Sequence, residues 1–216
     1  MLTNESNINQ TADSSKIWID KSIKKMKQLL PVTLYFHNDE PECCNLRDTT
    51  SLNYATTYQA YSRLLSEYKK EFAKGLSEGK KADAESAVFY LFTNKVEKGY
   101  RDLVQFSAQL LDALQSGGTV EMTIKGYCSP LNYNAYNIKL GMRRIASLKN
   151  YFSQYREGIL IPYIKEGKLI FKQNSLGEET AEKDISDKLE DTRNSVYNPT
   201  AAKERRVEII SVELIH

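Results

Sequence analysis

The chain is poor in the residues that carry most enzyme chemistry. Its 216 residues include two His, three Cys and one Trp. His37 and His216 stand alone, and Cys43, Cys44 and Cys128 form no CxxC pair, so the usual ligand spacing of a zinc site is missing. An odd cysteine count leaves no complete disulfide framework. No Ser or Cys sits in a nucleophile elbow, and no glycine-rich phosphate loop occurs. The chain therefore reads as a non-enzyme with no cofactor and no metal. Charge of one sign is lacking as well: 30 Lys and Arg face 28 Asp and Glu, for a net charge of +2. That balance argues against a nucleic-acid binder. No apolar run approaches the ~20 residues that span a bilayer. Residues 1–15, MLTNESNINQTADSS, have neither the basic nor the apolar segment of a signal peptide. Taken literally the chain is cytosolic; the alternative is a fragment of a longer exported protein.

What is present is patterned. Residues 1–15 are polar and read as a disordered tail. Over residues 16–30, Ile19, Ile23, Met26 and Leu30 recur at helical spacing between lysines, an amphipathic helix stopped by Pro31. The run VTLYF (32–36) reads as a buried strand, and HNDEPECCNLRDTTS after it as a polar loop. Tyr54, Tyr58, Tyr61, Leu65, Tyr68 and Phe72 form one helical seam, ended by Gly75 and Gly79. Tyr is abundant, with 14 residues, and suits such half-buried surfaces because its ring is apolar and its hydroxyl polar. A second helical region starts near Ala82, carries an irregularity at Gly99, and closes at Ser116–Gly118. TVEMTIKG alternates strictly, as a strand with one covered face does. Helical spacing resumes from Leu140 to Tyr155. GKLIFKQN (167–174) and RRVEIISVEL (205–214) are two further strands, separated by an exposed helix or loop over residues 180–191. The expected architecture is a two-layer α/β (α+β) sandwich. It has a mixed sheet of about four strands, a domain over 31–216 and a helical insertion at about 76–116.

Two places invite chemistry. The acidic cluster Asp39, Glu40 and Glu42 has the residue type of an acid–base pair, although a strand-end loop of this kind is commonly a solvated turn. The second is GYCSPLNYNAYNIKLGMRR (126–144), where a strand runs into a helix. Asn137, Leu140 and Arg144 stand at i, i+3 and i+7 and share one helix face. A guanidinium there can fork onto a carboxylate at the sheet edge, where α/β layers open a crevice. Spacing alone leaves a second reading open, in which Asn137 braces the loop and Arg144 pairs with a local carboxylate.

Four ordered segments carry a resemblance: VTLYFHND (32–39), MTIKGYCS (122–129), NIKLGMRRI (137–145) and ERRVEI (204–209). Together they resemble the OmpA-like (OmpA/MotB) C-terminal domain family, which binds peptidoglycan without covalent attachment. The family pattern is an early strand, a strand ending Gly-His-Thr-Asp, a helix with Asn-x-x-Leu-Ser-x-x-Arg-Ala, and a closing strand that begins Arg-Arg-Val. The resemblance spans about Pro31 to Leu214, with a helical insertion between the first two strands. It implies a β-α-β-α-β-β domain whose Asp and Arg clamp the zwitterionic end of diaminopimelate in the peptide stem. Arg144 and Asn137 carry over as ligand-binding residues, and Leu140 as a packing residue. Tyr127, Cys128 and Ser129 stand where the family has His, Thr and Asp, and Gly141 where it has Ser. Asp39 or Glu40 is the candidate to replace the missing carboxylate. The resemblance also implies a periplasmic place beside the outer membrane, with an alternative reading in which the same fold is a protein–protein module whose insertion helices dock an envelope partner, and loops that bring Cys128 toward Cys43 or Cys44 for a disulfide. Reduced thiols are the alternative.

Overall fold

The structure, a computed structural model, describes residues 4–131, 133–177, 185–188 and 190–215. Helix α1 (Asn4–Leu29) leads into β1 (Val32–Tyr35). Helices α2 (Tyr54–Ser62), α3 (Leu65–Ala73), α4 (Glu78–Leu91) and α5 (Lys98–Gln115) follow, with a π-helical turn at Phe92–Glu97 between the last two. Then come β2 (Thr119–Tyr127), α6 (Asn134–Gln154), α7 (Ile161–Lys165) and β3 (Leu169–Ser175). The short helices α8 (Thr192–Ser195) and α9 (Pro199–Glu204) precede β4 (Arg206–Ile215). The strands form one mixed sheet in the order β1-β4-β2-β3, with β2 and β3 parallel and both β4 pairings antiparallel. This is a two-layer α+β fold.

The alternation in β2 does what its pattern requires. Val120, Met122 and Ile124 are fully buried, and Glu121 on the opposite face meets Lys172 of β3 at 2.7 Å. The covered face packs Ile23 and Met26 of α1, Leu103, Phe106 and Leu110 of α5, and Ile145, Leu148 and Phe152 of α6 against Leu34, Val207 and Ile209 of the sheet. Each such side chain contributes roughly 1.5–3 kcal/mol of burial. Tyr35, next to Leu34 on β1, points to the other face. There it joins Tyr61, Tyr68, Val88, Leu91 and Phe92 in a second, aromatic cluster.

Several expectations need correction. Helix α1 begins at Asn4, where a disordered tail over 1–15 was expected; residues 4–15 hold no Pro or Gly, and extending a nucleated helix is cheap. The seam from Tyr54 to Phe72 is divided at Arg63–Leu64 because Tyr54 serves the main core and Tyr61 and Tyr68 the second cluster. Gly75, at φ 75°, follows the end of α3, whereas Gly79 lies inside α4. The irregularity expected at Gly99 is the π-helical turn just before it. Gly99 is the point of contact with the sheet, since a Cβ there would stand 2.1 Å from the Thr33 carbonyl oxygen. Of the helix or loop expected over 180–191, residues 180–184 and 189 lie outside the described ones. No helix is long and apolar enough to cross a membrane among the described residues.

Candidate functional site

Helix α6 reaches the end of β2 through two glycines. A Cβ on Gly126 would lie 2.6 Å from the Gly141 carbonyl oxygen, and one on Gly141 would lie 2.1 Å from Ser175 Oγ. The close crossing sets Arg144, one turn after Gly141, directly under the strand end. Its Nη1 donates to the Tyr127 carbonyl at 2.8 Å and contacts Cys128 Sγ at 3.3 Å. Its Nε donates to the Glu40 carbonyl at 3.0 Å, and the guanidinium lies 5.3 Å from the Phe36 ring centre. Cys128 Sγ in turn donates to the Asn137 carbonyl at 3.1 Å. Arg144 is fully buried, and its Nη2 has no hydrogen-bond partner. Burial pushes its pKa down, and the nearby Arg205 and Arg143 add to the effect.

The expected ligand-binding residues are thus brought to one end of the sheet, but as a closed polar knot. Relative exposure is 8% for Tyr127, 2% for Cys128, 5% for Ser129, 1% for Asn137 and 0% for Arg144, so an open clamp is absent. The Tyr127 ring turns away and stacks on Arg206, 4.1 Å from the guanidinium carbon. Glu40 supplies Arg144 with a main-chain carbonyl, and burial raises its carboxyl above the ordinary range. The Asp39 carboxylate, expected opposite Arg144, does not pair with it. It lies 3.6 Å from Arg143 Nη2 and accepts a hydrogen bond from the Tyr136 hydroxyl. The expected disulfide is absent too: Cys128 is buried and Cys43 and Cys44 are exposed, and none of the three is joined to another by a disulfide.

Arg143 is the residue that sequence reading passed over. Its Nε donates to the Pro41 carbonyl at 2.7 Å, and its Nη1 to the carbonyls of Asn45 and Arg47 at 2.8 and 3.0 Å. One guanidinium therefore organises the loop after β1, substituting for a regular hydrogen-bond ladder. The signal was the Arg-Arg pair itself. Neighbouring positions on a helix diverge by about 100°, so the two side chains must serve different partners.

The same loop carries Asp39, Cys43 and Cys44, whose side-chain oxygen and sulfur atoms lie within 4.8 Å of one another. The Cys43 thiol is pushed up to about 11 by its hydrogen bond with Cys44 and by partial burial. Beside the loop, a groove of about 300 Å³ is lined by Asp48, Thr50, Met142, Lys149, Asn150 and Gln173, none of them an expected site residue. No family model matches the chain, and no curated protein or solved structure matches it either.

Proposed function

We propose that this domain binds the peptide stem of peptidoglycan non-covalently and anchors a periplasmic, outer-membrane-associated protein to the cell wall, without catalysing a reaction. The observation that carries the reading is Arg144. It sits at the position that the four-motif resemblance assigns to the anion contact. It is wholly buried, has no carboxylate within ion-pair distance among the described residues, and keeps one guanidinium nitrogen unpaired. Leaving a buried donor unpaired costs about 1–3 kcal/mol, more when it is charged, and a stem carboxylate would relieve that cost. Entry requires the 37–47 loop to lift, with the Asp39 carboxylate available to the ammonium of the same zwitterion. The test is a muropeptide titration. Arg144→Lys keeps the charge and loses the fork; the loss of one charge-assisted bond, about 1.5–3 kcal/mol, weakens binding by at least about tenfold. Equal affinity for wild type and a folded Arg144→Lys variant would overturn the clamp.

The closed knot favours a second reading, a protein–protein module of the cell envelope that has lost its diaminopimelate ligand. Exposed Phe89 and Tyr90 on α4 offer such a module an apolar contact. Sedimentation with purified sacculi separates the two, because retention of the chain in the pellet is expected only for the wall-binding domain.

A further inference from the structure

We propose that Asp39, Cys43 and Cys44 form a site for one thiophilic divalent cation of the zinc class, with three protein ligands and an open fourth position. Sequence spacing hid the group because it follows D-x-x-x-C-C rather than CxxC. The three ligand atoms already lie within 4.8 Å of one another. Tetrahedral coordination with metal–sulfur bonds of about 2.3 Å needs sulfurs about 3.8 Å apart, which modest side-chain rotation supplies. Two sulfurs select this class of cation over magnesium or calcium, which take oxygen ligands.

The carboxylate is held from behind, as metal ligands usually are. Asp39 Oδ1 accepts from the Tyr136 hydroxyl and faces Arg143 Nη2 at 3.6 Å, while Oδ2 accepts from the Cys44 main-chain N–H at 3.0 Å. Arg143 also offsets part of the negative charge of two thiolates and a carboxylate. Asp39, Glu42 and Cys44 hold positive φ angles of 55°, 52° and 66°, a backbone shape that Arg143 and its carbonyl partners keep in place. Both cysteines are exposed, so the cation enters from solvent, the two thiols release their protons, and water takes the fourth position. The site shares Asp39 with the proposed peptide-stem contact, so cation and stem compete for one carboxylate, and the metal titration is read in the absence of any muropeptide.

The test uses the full chain, reduced and metal-free, titrated with Cd²⁺ as a spectroscopic probe. A thiolate-to-cadmium charge-transfer band should saturate at one cadmium per chain and be displaced by Zn²⁺. The Cys43→Ser/Cys44→Ser double variant should lose the band, and Cys128→Ser should keep it. Asp39→Asn and Tyr136→Phe should each weaken the affinity by about tenfold or more while leaving the band in place. No band, a band that survives the double variant, saturation at one cadmium per two chains, or unchanged affinity in Asp39→Asn would each overturn the site.

Discussion

Among the described residues three arginines are fully buried, and they are housed in two different ways. Arg143 and Arg144 lie under the irregular loop after β1. They are met there by the carbonyls of Glu40, Pro41, Asn45, Arg47 and Tyr127, with Asp39 as the one carboxylate in ion-pair range among the described residues. Arg205, between α9 and the last strand, closes the end of α8. It donates to the Ser195 and Val196 carbonyls at 3.1 and 2.6 Å and to the Tyr68 hydroxyl at 3.3 Å. Tyr68 also meets His37 Nδ1 at 2.8 Å within an aromatic surround of Tyr61, Phe92 and Tyr197. The first centre gives a loop its shape; the second holds helices that already have one. Carbonyl dipoles can therefore host a guanidinium with little help from carboxylates, provided that the geometry supplies enough of them.

The contrast breaks most sharply at Arg143. Arg143→Ala leaves the loop carbonyls and the Asp39 charge without their partner, so a loss of about 3–5 kcal/mol is expected in urea unfolding. Residues 39–47 should also become sensitive to limited proteolysis. Arg205→Ala should destabilise the fold while sparing that loop; equal cleavage in both variants would erase the distinction.

The second centre is legible in acid. Burial and the neighbouring Arg205 and Arg144 lower the His37 pKa from 6.5 to about 4. The folded state thus keeps His37 neutral while the unfolded chain takes up a proton. Stability is full above about pH 6.5 and falls by roughly 3 kcal/mol as the pH drops toward 4. Urea midpoints measured across that window should slope for the wild type and flatten for His37→Gln.

Gly126→Ala probes the crossing that places Arg144, because the new methyl meets main-chain atoms of Gly141. A loss of about 1–3 kcal/mol is expected, read as a lower thermal midpoint. The smallest effect belongs to an ion pair remote from both centres. Lys27 and Glu213 meet at 2.8 Å but are largely solvated, so Glu213→Gln should cost less than about 1 kcal/mol, and less still at high salt.

Much of this molecule was legible from periodicity. The β2 alternation, the α6 seam through Leu140, Leu148 and Phe152, and the four strands all follow from apolar residues recurring at 2.0 or 3.6 residues. The break between α2 and α3 was not legible, because the tyrosine seam runs on unbroken while its members serve two different clusters. In the candidate site, Asn137 and Arg144 were visible through their spacing and the four-motif resemblance. Arg143 was not, because its partners are main-chain carbonyls of a loop whose residue types do not advertise them.

The sequence by itself determined which faces are apolar, where the four strands lie, and that a strand-to-helix turn would bring Arg144 to the end of β2, but not the limits of the helices. Tertiary structure decided what that arginine meets. Only close packing of Gly126 on Gly141, and the folding of residues 37–47 over α6, put Asp39 on Arg143 rather than Arg144 and set two thiols beside a carboxylate. Local patterns report whether a side chain is buried. Which polar groups share that interior depends on contacts between residues about a hundred positions apart, and no local pattern encodes them.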